Sequence, residues 1–121
     1  MAQFKIMIVD DSPILRSTIR TVLERFGHHV TGEAGNSAEA YDLYRKETPD
    51  VVLLDILLPG ESGLDILAEI LKIDAKARVI MVTAINQSAV NEEAKQTGAK
   101  GIVYKPFEPD DLVSAIEKVM E

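Results

Sequence analysis

The sequence lacks cysteine and tryptophan, and only 5% of its 121 residues are aromatic. Without cysteine the chain can form neither a disulfide nor a thiolate site, which is consistent with a reducing compartment, and we expect a cytoplasmic location. Its longest apolar stretches are far shorter than the ~20 residues that a membrane helix needs, so no membrane insertion is expected. The start of the chain has no long apolar segment, so no signal peptide is predicted.

Basic residues are also scarce, with 13 Lys and Arg against 20 Asp and Glu and a net charge of −7. They are not gathered into a stripe, so direct binding of nucleic acid is not expected. The hydrophobic content of 46% and charged content of 27% are ordinary for a soluble globular protein. The length predicts a single domain over residues 1–121.

Four short apolar runs each end at polar residues. These are residues 6–9 before Asp10 and Asp11, 51–54 before Asp55, 79–82 before Thr83, and 102–104 before Lys105. A run that is apolar on both faces is typical of a buried parallel strand. The run that ends at Asp55 is central to the interpretation, because we predict that this carboxylate is a nucleophile that accepts a phosphoryl group.

Helical periodicity separates the strands, which are predicted over residues 5–9, 29–34 (a weaker edge strand), 51–55, 79–82 and 101–104. The predicted helices begin near Ser12, Ser37, Ser62, Ser88 and Pro109, with Ser12 and Ser37 as candidate N-caps. In the first helix Ile14 belongs to the apolar stripe, whereas the fourth helix has few large apolar residues and is a candidate moving part.

Strict alternation of strand and helix predicts an α/β fold with a five-stranded, mostly parallel sheet and helices on both faces. Right-handed crossovers place the carboxyl ends of all strands on the same side, where ligands bind in such sheets. Asp10, Asp11, Asp55, Thr83 and Lys105 should therefore meet in space although they are distant in sequence.

Three converging carboxylates create an electrostatic problem. Two carboxylates ~5 Å apart repel by roughly 3 kcal/mol at an effective dielectric constant of 20, and one lysine cannot offset three such pairs. The cluster should either bind a divalent cation or hold one carboxyl protonated. Ligands that are all oxygen favour Mg²⁺ over Zn²⁺.

Each of these residues also has an ordinary structural explanation. The acid pair could favour a helix N-terminus, Asp55 could lie in a turn, Thr83 is a common strand-end residue, and Lys105 could be a solvated loop residue. Their joint occurrence at the ends of four apolar strands favours the functional interpretation.

With these residues the chain resembles the receiver domain of two-component response regulators over essentially its whole length. The matching motifs are Asp10-Asp11, Asp55, Thr83-Ala84 and Lys105-Pro106-Phe107, each directly after a strand. The stretches that are most similar to stand-alone chemotaxis regulators are Gly32-Glu33-Ala34, Lys72-Ile73-Asp74 and Gly98-Ala99-Lys100. The residues alone leave the strand order open, whereas the resemblance implies the flavodoxin-like (βα)5 order 2-1-3-4-5, of which chemotaxis regulators are a known example.

The resemblance also implies a chemistry. Asp55 would take a phosphoryl group from a phosphohistidine of a histidine kinase, Lys105 would pair with a phosphoryl oxygen, and Thr83 would donate a hydrogen bond to another. The protein would not be an enzyme in the usual sense, although it would catalyse its own phosphorylation and dephosphorylation. It would then bind a downstream protein through the surface of the fourth helix, fifth strand and fifth helix.

The implied cofactor is Mg²⁺. Asp11, Asp55 and the backbone carbonyl of Leu57 would hold the ion, and Asp10 would act largely through water. Small Ala84 would leave the phosphoryl group room, and the bond between Lys105 and Pro106 is a candidate for a cis peptide.

Some positions depart from the family pattern. Receivers usually carry Phe or Tyr three residues before the lysine, where this chain has Ile102, so either Tyr104 partly replaces that ring or switching proceeds without it. Leu57 and Ile85 are apolar beside the expected path of a hydrolytic water, which predicts slow self-dephosphorylation. The pair His28-His29 is predicted to be solvated rather than to bind a metal.

Several other functions compete with the signalling switch. A phosphorelay intermediate would share the whole site but pass the phosphoryl group to a histidine phosphotransfer protein. An FMN-binding flavodoxin is rejected because Asp10 and Asp11 would repel a phosphate. A phosphatase would need a second acid and a substrate cap, a pseudo-receiver would lack a site residue, and a DNA-binding regulator would need a further output domain.

Overall fold

Five parallel strands form the centre of the protein in a computed structural model that describes residues 3–121. Met1 and Ala2, which begin the segment where no signal peptide is expected, lie outside the described residues. The strands are β1 (Lys5–Val9), β2 (His29–Ala34), β3 (Val51–Leu54), β4 (Val79–Thr83) and β5 (Gly101–Tyr104). Their order in the sheet is β2-β1-β3-β4-β5, so the predicted order 2-1-3-4-5, with the weak strand at the edge, is confirmed.

Five helices connect the strands and cover both faces of the sheet. They are α1 (Pro13–Arg25), α2 (Ser37–Glu47), α3 (Gly63–Ile73), α4 (Ser88–Thr97) and α5 (Pro109–Val119). Helices α2, α3 and α4 pack on one face, and α1 and α5 pack on the other. Alternate residues of the central strands point into the two cores, which is why residues 6–9, 51–54 and 79–82 are apolar throughout.

Helix α4 buries little apolar surface because it has few large apolar residues. Its only buried residue is Ala94, whereas α3 buries Ile66, Leu67 and Ile70. Because buried apolar area supplies most of a helix's stability in a protein, α4 is the less firmly packed of these two neighbouring helices. The predicted thin apolar stripe of the fourth helix is therefore confirmed.

Two local predictions about polar residues are wrong. Asn36, not Ser37, caps α2, because its side chain accepts a hydrogen bond from the Glu39 N–H at 3.0 Å. His28 is buried instead of solvated, since its ring stacks on Phe4 with 5.4 Å between centroids. Its Nδ1 accepts a hydrogen bond from the Phe4 N–H at 3.3 Å, and only His29 is exposed.

One further feature was not predicted, and one further prediction is wrong. A short antiparallel hairpin of Leu57–Leu58 and Glu61–Ser62 surrounds the expected turn between β3 and α3. Ile14, which the helical spacing places with the inward stripe of α1, is 81% exposed. Within residues 3–121, no helix combines the length and the apolar character that crossing a membrane requires.

Candidate functional site

Backbone hydrogen bonds continue the sheet beyond the ends of its strands and fix the polar residues there. The Asp10 N–H donates to the Ala34 carbonyl at 3.0 Å, and the Asp55 N–H donates to the Val9 carbonyl at 3.0 Å. The Lys105 N–H donates to the Thr83 carbonyl at 2.9 Å. The predicted convergence follows from this continued pairing, because neighbouring parallel strands end side by side.

The three predicted carboxylates form one cluster. Asp10, Asp11 and Asp55 each place a carboxylate oxygen within 4.8 Å of the others. Asp10 and Asp55 are buried, while Asp11 is exposed. The cluster therefore has a rigid inner pair of acids and one outer acid that solvent can reach.

Lys105 joins the two buried acids. Its Nζ lies 2.9 Å from Oδ2 of Asp10 and 3.0 Å from Oδ2 of Asp55. Burial alone would lower the pKa of Lys105, but its hydrogen bonds and ion pairs with these carboxylates outweigh that effect and raise the pKa. The lysine consequently remains charged throughout the neutral range. Its peptide bond to Pro106 is cis, as proposed from the sequence.

The remaining carboxylate oxygens of the buried pair contact backbone N–H groups. Oδ1 of Asp10 accepts from Ser12 at 2.9 Å, and Oδ1 of Asp55 accepts from Leu57 at 3.2 Å. All four oxygens of Asp10 and Asp55 therefore have a donor from the protein. These donors fix the orientation of both carboxylates.

The donor set fits a hard divalent cation. Three carboxylates and one ammonium group carry a charge of −3 + 1 = −2, which a single divalent ion would neutralise. The candidate ligands are all oxygen atoms, as Mg²⁺ prefers. Asp11 is the acid best placed to reach an ion from the solvent side, because both oxygens of Asp10 are already hydrogen-bonded.

Thr83 ends β4 beside this cluster, and its hydroxyl group already accepts one hydrogen bond. The side chain is fully buried, and its Oγ1 accepts a hydrogen bond from the Ile85 N–H at 3.1 Å. That bond uses an oxygen lone pair, so the hydroxyl proton is still available for donation. The arrangement suits a group that donates to an incoming oxygen.

Gly63 is a site residue that was not predicted from the sequence. A Cβ atom at this position would lie 2.0 Å from the Asp55 carbonyl oxygen and 2.7 Å from Cα of Ile56. The Gly63 N–H also donates to the Ile56 carbonyl at 2.7 Å. The first turn of α3 therefore packs directly against the backbone that carries Asp55. A glycine directly after the capping Ser62 was the available signal, although it did not reveal what the glycine contacts.

Tyr104 connects the end of β5 to α4. Thr83 and Tyr104 are register partners in the β4–β5 pair, and the Tyr104 side chain is on the surface. Its hydroxyl accepts a hydrogen bond from Nδ2 of Asn91 at 2.6 Å. Ile102 is partly buried against the core that holds α4. The aromatic side chain of β5 therefore belongs to Tyr104, at the end of the strand that leads into Lys105.

Comparisons with known proteins agree with this geometry. The sequence model of the response regulator receiver domain matches residues 6–117. The chain is 39% identical to the chemotaxis protein CheY of Thermotoga maritima over 115 residues, covering 95% of this chain and 96% of that protein. It is 38% identical to sporulation initiation phosphotransferase F of Bacillus subtilis over 120 residues, covering 99% and 96% of the two chains.

A solved structure supports the fold assignment. The CheX–CheY–BeF₃–Mg²⁺ complex from Borrelia burgdorferi contains a chain that superimposes on this one with a TM-score of 0.94 and 28% identity. The match covers 98% of this chain and 90% of that chain. The five-stranded parallel sheet with flanking helices is thus the same fold.

The close approach of Gly63 to Asp55 generates a prediction. Gly63→Ala should lower the free energy of unfolding by about 1–3 kcal/mol, because the new methyl group must displace the backbone of β3 or α3. Gly101→Ala is the matched control, since its Cβ would have no neighbour closer than 3.7 Å. Alanine there should be neutral or stabilise by up to about 1 kcal/mol. Urea denaturation followed by circular dichroism measures the free energy of unfolding of each variant. Equal values for Gly63→Ala and Gly101→Ala would show that the backbone near Gly63 has room for a Cβ atom.

Proposed function

The chain belongs to the response regulator receiver domain family, and from this membership we propose that it is a switch activated when a histidine kinase phosphorylates Asp55. Members of this family are phosphorylation-regulated signalling domains of two-component systems. The observation that carries the proposal is the buried Asp55 carboxylate, held by Lys105 and the Leu57 N–H within a cluster of three acids. We further propose that residues 1–121 act as one receiver domain and that it works in the cytoplasm.

The proposed reaction is transfer of a phosphoryl group from a phosphohistidine to Asp55. A carboxylate oxygen of Asp55 forms a bond to phosphorus while the bond between phosphorus and the imidazole nitrogen breaks, and the electron pair leaves with the imidazole. Lys105 lies within reach of the new group because it already contacts Asp55 at 3.0 Å. Its ammonium group pairs with one phosphoryl oxygen, and the Thr83 hydroxyl donates to another.

Asp10, Asp11, Asp55 and the backbone carbonyl of Leu57 would hold the Mg²⁺ ion. When bound, the ion supplies positive charge that lowers the repulsion between the acid cluster and the incoming phosphoryl oxygens. The residues themselves provide position: Asp10 keeps Lys105 aimed at the site, and the Leu57 N–H keeps the Asp55 carboxylate in one orientation.

The protein catalyses only its own phosphorylation and dephosphorylation in this scheme, so it is not an enzyme with a separate turnover substrate. Hydrolysis of the aspartyl phosphate by water resets the switch. Leu57 is 60% exposed and Ile85 is partly exposed, and neither side chain can form a hydrogen bond to that water. We therefore expect the phosphorylated state to persist longer than it would with polar residues at these positions.

The proposed output surface is formed by α4, β5 and α5. A groove on this side is lined by residues of β5 and α5, among them Tyr104, Ser114 and Lys118. Tyr104 also contacts Asn91 of α4, so its side chain connects β5 to α4 on this surface. A downstream protein that binds here would sense the arrangement of α4 relative to β5.

Chemotaxis is the setting that we propose for this switch, because several relatives carry that function in their names. A phosphorelay intermediate is the second candidate, with a histidine phosphotransfer protein as the recipient. Leu57 and Ile85 favour it, because slow hydrolysis preserves a phosphoryl group for onward transfer. Neither role involves direct binding to nucleic acid or insertion into a membrane.

The first prediction tests the acceptor itself. Incubation with acetyl phosphate and Mg²⁺ should add about 80 Da, the mass of one phosphoryl group, to the intact protein by mass spectrometry. Asp55→Asn removes the nucleophilic carboxylate and should abolish the adduct, whereas Asp50→Asn, on the loop before β3, should retain it. Absence of an adduct on the native protein, or its survival in Asp55→Asn, would overturn the proposed function.

A second prediction concerns the lifetime of the phosphoryl group. Leu57→Asn and Ile85→Glu should each accelerate its loss roughly three- to tenfold, because a hydrogen bond that positions water contributes about 1 kcal/mol. The decay is measured on the isolated phosphorylated protein after removal of the donor. Ile14→Asn makes the same kind of exposed apolar-to-polar change on α1 and should not alter the decay. Unchanged rates in both test variants would contradict the proposed role of the apolar pair.

A third prediction concerns how the signal leaves the site. In the native protein, phosphorylation should shift the NMR amide signals of α4, and Tyr104→Ala should abolish most of that shift while Asp55 still becomes phosphorylated. Tyr104→Phe removes only the hydroxyl that accepts from Asn91, and Tyr41→Phe on α2 is its control. A full α4 response in Tyr104→Ala would show that Tyr104 does not replace the ring missing at Ile102.

A further inference from the structure

Within residues 3–121, Arg16 of α1 is the one residue that donates hydrogen bonds both to the Glu33 side chain and to the backbone carbonyl of Asp10. Its Nε donates to Oε1 of Glu33 on β2 at 3.0 Å, and its Nη1 donates to the backbone carbonyl of Asp10. The side chain is only 19% exposed. A guanidinium group presents its donors in a fixed plane, so holding both partners restricts its position more than one contact would.

The carbonyl of Asp10 belongs to the peptide group between the two acids. A peptide group is planar, so the orientation of this carbonyl also sets the direction in which the chain enters Asp11. The Asp10 N–H is fixed by the Ala34 carbonyl at 3.0 Å, and the Asp10 side chain is fixed by Lys105 at 2.9 Å. The Ser12 N–H donates to Oδ1 of Asp10 at 2.9 Å, and Arg16 adds a constraint on the Asp10 carbonyl itself, where the chain enters Asp11.

Glu33 keeps Arg16 in place. Burial alone would raise the pKa of Glu33, but its hydrogen bonds and ion pairs with Arg20 and Arg16 outweigh burial and lower it. Its carboxylate therefore stays ionised well into mild acid.

Arg20 provides an internal comparison. Its Nε donates to the other carboxylate oxygen of Glu33 at 2.7 Å, and its Nη1 contacts Glu24 at 3.4 Å. Arg20 thus joins α1 to β2 through the same glutamate as Arg16. The two arginines differ in that only Arg16 also contacts the backbone of the acid pair.

We propose that Arg16, oriented by Glu33, is a positioning residue that holds the peptide group between Asp10 and Asp11 and thereby sets the affinity of the acid cluster for a divalent cation. This inference rests on the proposed function, in which the cluster binds Mg²⁺. The direction of the change in cation affinity on replacing Arg16 distinguishes loss of its positioning contact from loss of its positive charge. Removal of a positive charge near a cation site would by itself strengthen cation binding, whereas loss of the constraint on Asp11 weakens it.

The test is a calorimetric titration of the metal-free full chain with Mg²⁺. Arg16→Ala should raise the Kd roughly tenfold, the lower end of the effect expected when a partner that orients metal ligands is removed. Arg20→Ala loses an ion pair to the same glutamate, and its Kd should stay within about twofold of the native value, since ion pairs at the protein surface contribute little. In the metal-free protein, the NMR amide signals of Asp11 and Ser12 should move in Arg16→Ala and stay in place in Arg20→Ala.

An unchanged or lower Kd in Arg16→Ala would overturn the inference, and so would equal losses in the two alanine variants. If the native protein does not bind Mg²⁺, the proposed metal site fails together with this inference. If the native protein binds Mg²⁺ and the Kd is the same in Arg16→Ala, only the inference about Arg16 fails. Should Arg16→Ala not fold, Arg16→Lys replaces it with Arg20→Lys as control. A lysine has a single ammonium group and cannot contact the Glu33 carboxylate and the Asp10 carbonyl in the planar geometry of a guanidinium group. The Kd of Arg16→Lys should therefore exceed that of Arg20→Lys, and equal values would overturn the proposal.

Discussion

Mutual repulsion among three carboxylates is the constraint on which the rest of this structure depends. Asp10, Asp11 and Asp55 lie within 4.8 Å of one another, and at ~5 Å each pair repels by roughly 3 kcal/mol at an effective dielectric constant of 20. Lys105 offsets part of this by contacting the two buried acids. The remaining charge of −2 suits a divalent cation, and until one binds it would repel an added anion.

Holding like charges together requires a rigid framework, and the sheet supplies it. The inner acids follow directly from β1 and β3, whose side chains are buried on both faces, and their N–H groups continue the hydrogen bonds of the strands. Behind Asp55 the first turn of α3 approaches so closely that only Gly63 fits. The two inner acids therefore cannot relieve their repulsion by moving apart, so this part of the electrostatic energy remains available for binding a cation.

The residues that could be predicted from sequence are those whose placement depends on strand ends. Asp55 and Lys105 each follow an apolar run, and the topology of an alternating fold brings such residues together without knowledge of any side-chain contact. Gly63, Arg16 and His28 could not be placed in this way. Their roles depend on a particular partner elsewhere in the fold, and the pattern of apolar and polar residues specifies neither a close backbone approach nor an ion pair between α1 and β2.

The contact between Tyr104 and Asn91 shows how an event at Thr83 can reach the surface. Thr83 and Tyr104 are register partners, so in the proposed switch a movement of the Thr83 side chain toward a phosphoryl group would change the space beside the ring. Oδ1 of Asn91 is buried without a hydrogen-bond partner within residues 3–121, so the contact with Tyr104 satisfies only one side of the amide group. Helix α4 adds only Ala94 to the buried core, so little apolar burial opposes its movement relative to β5. In the proposed switch, a small change at the acid cluster is therefore enough to shift the contact between α4 and β5.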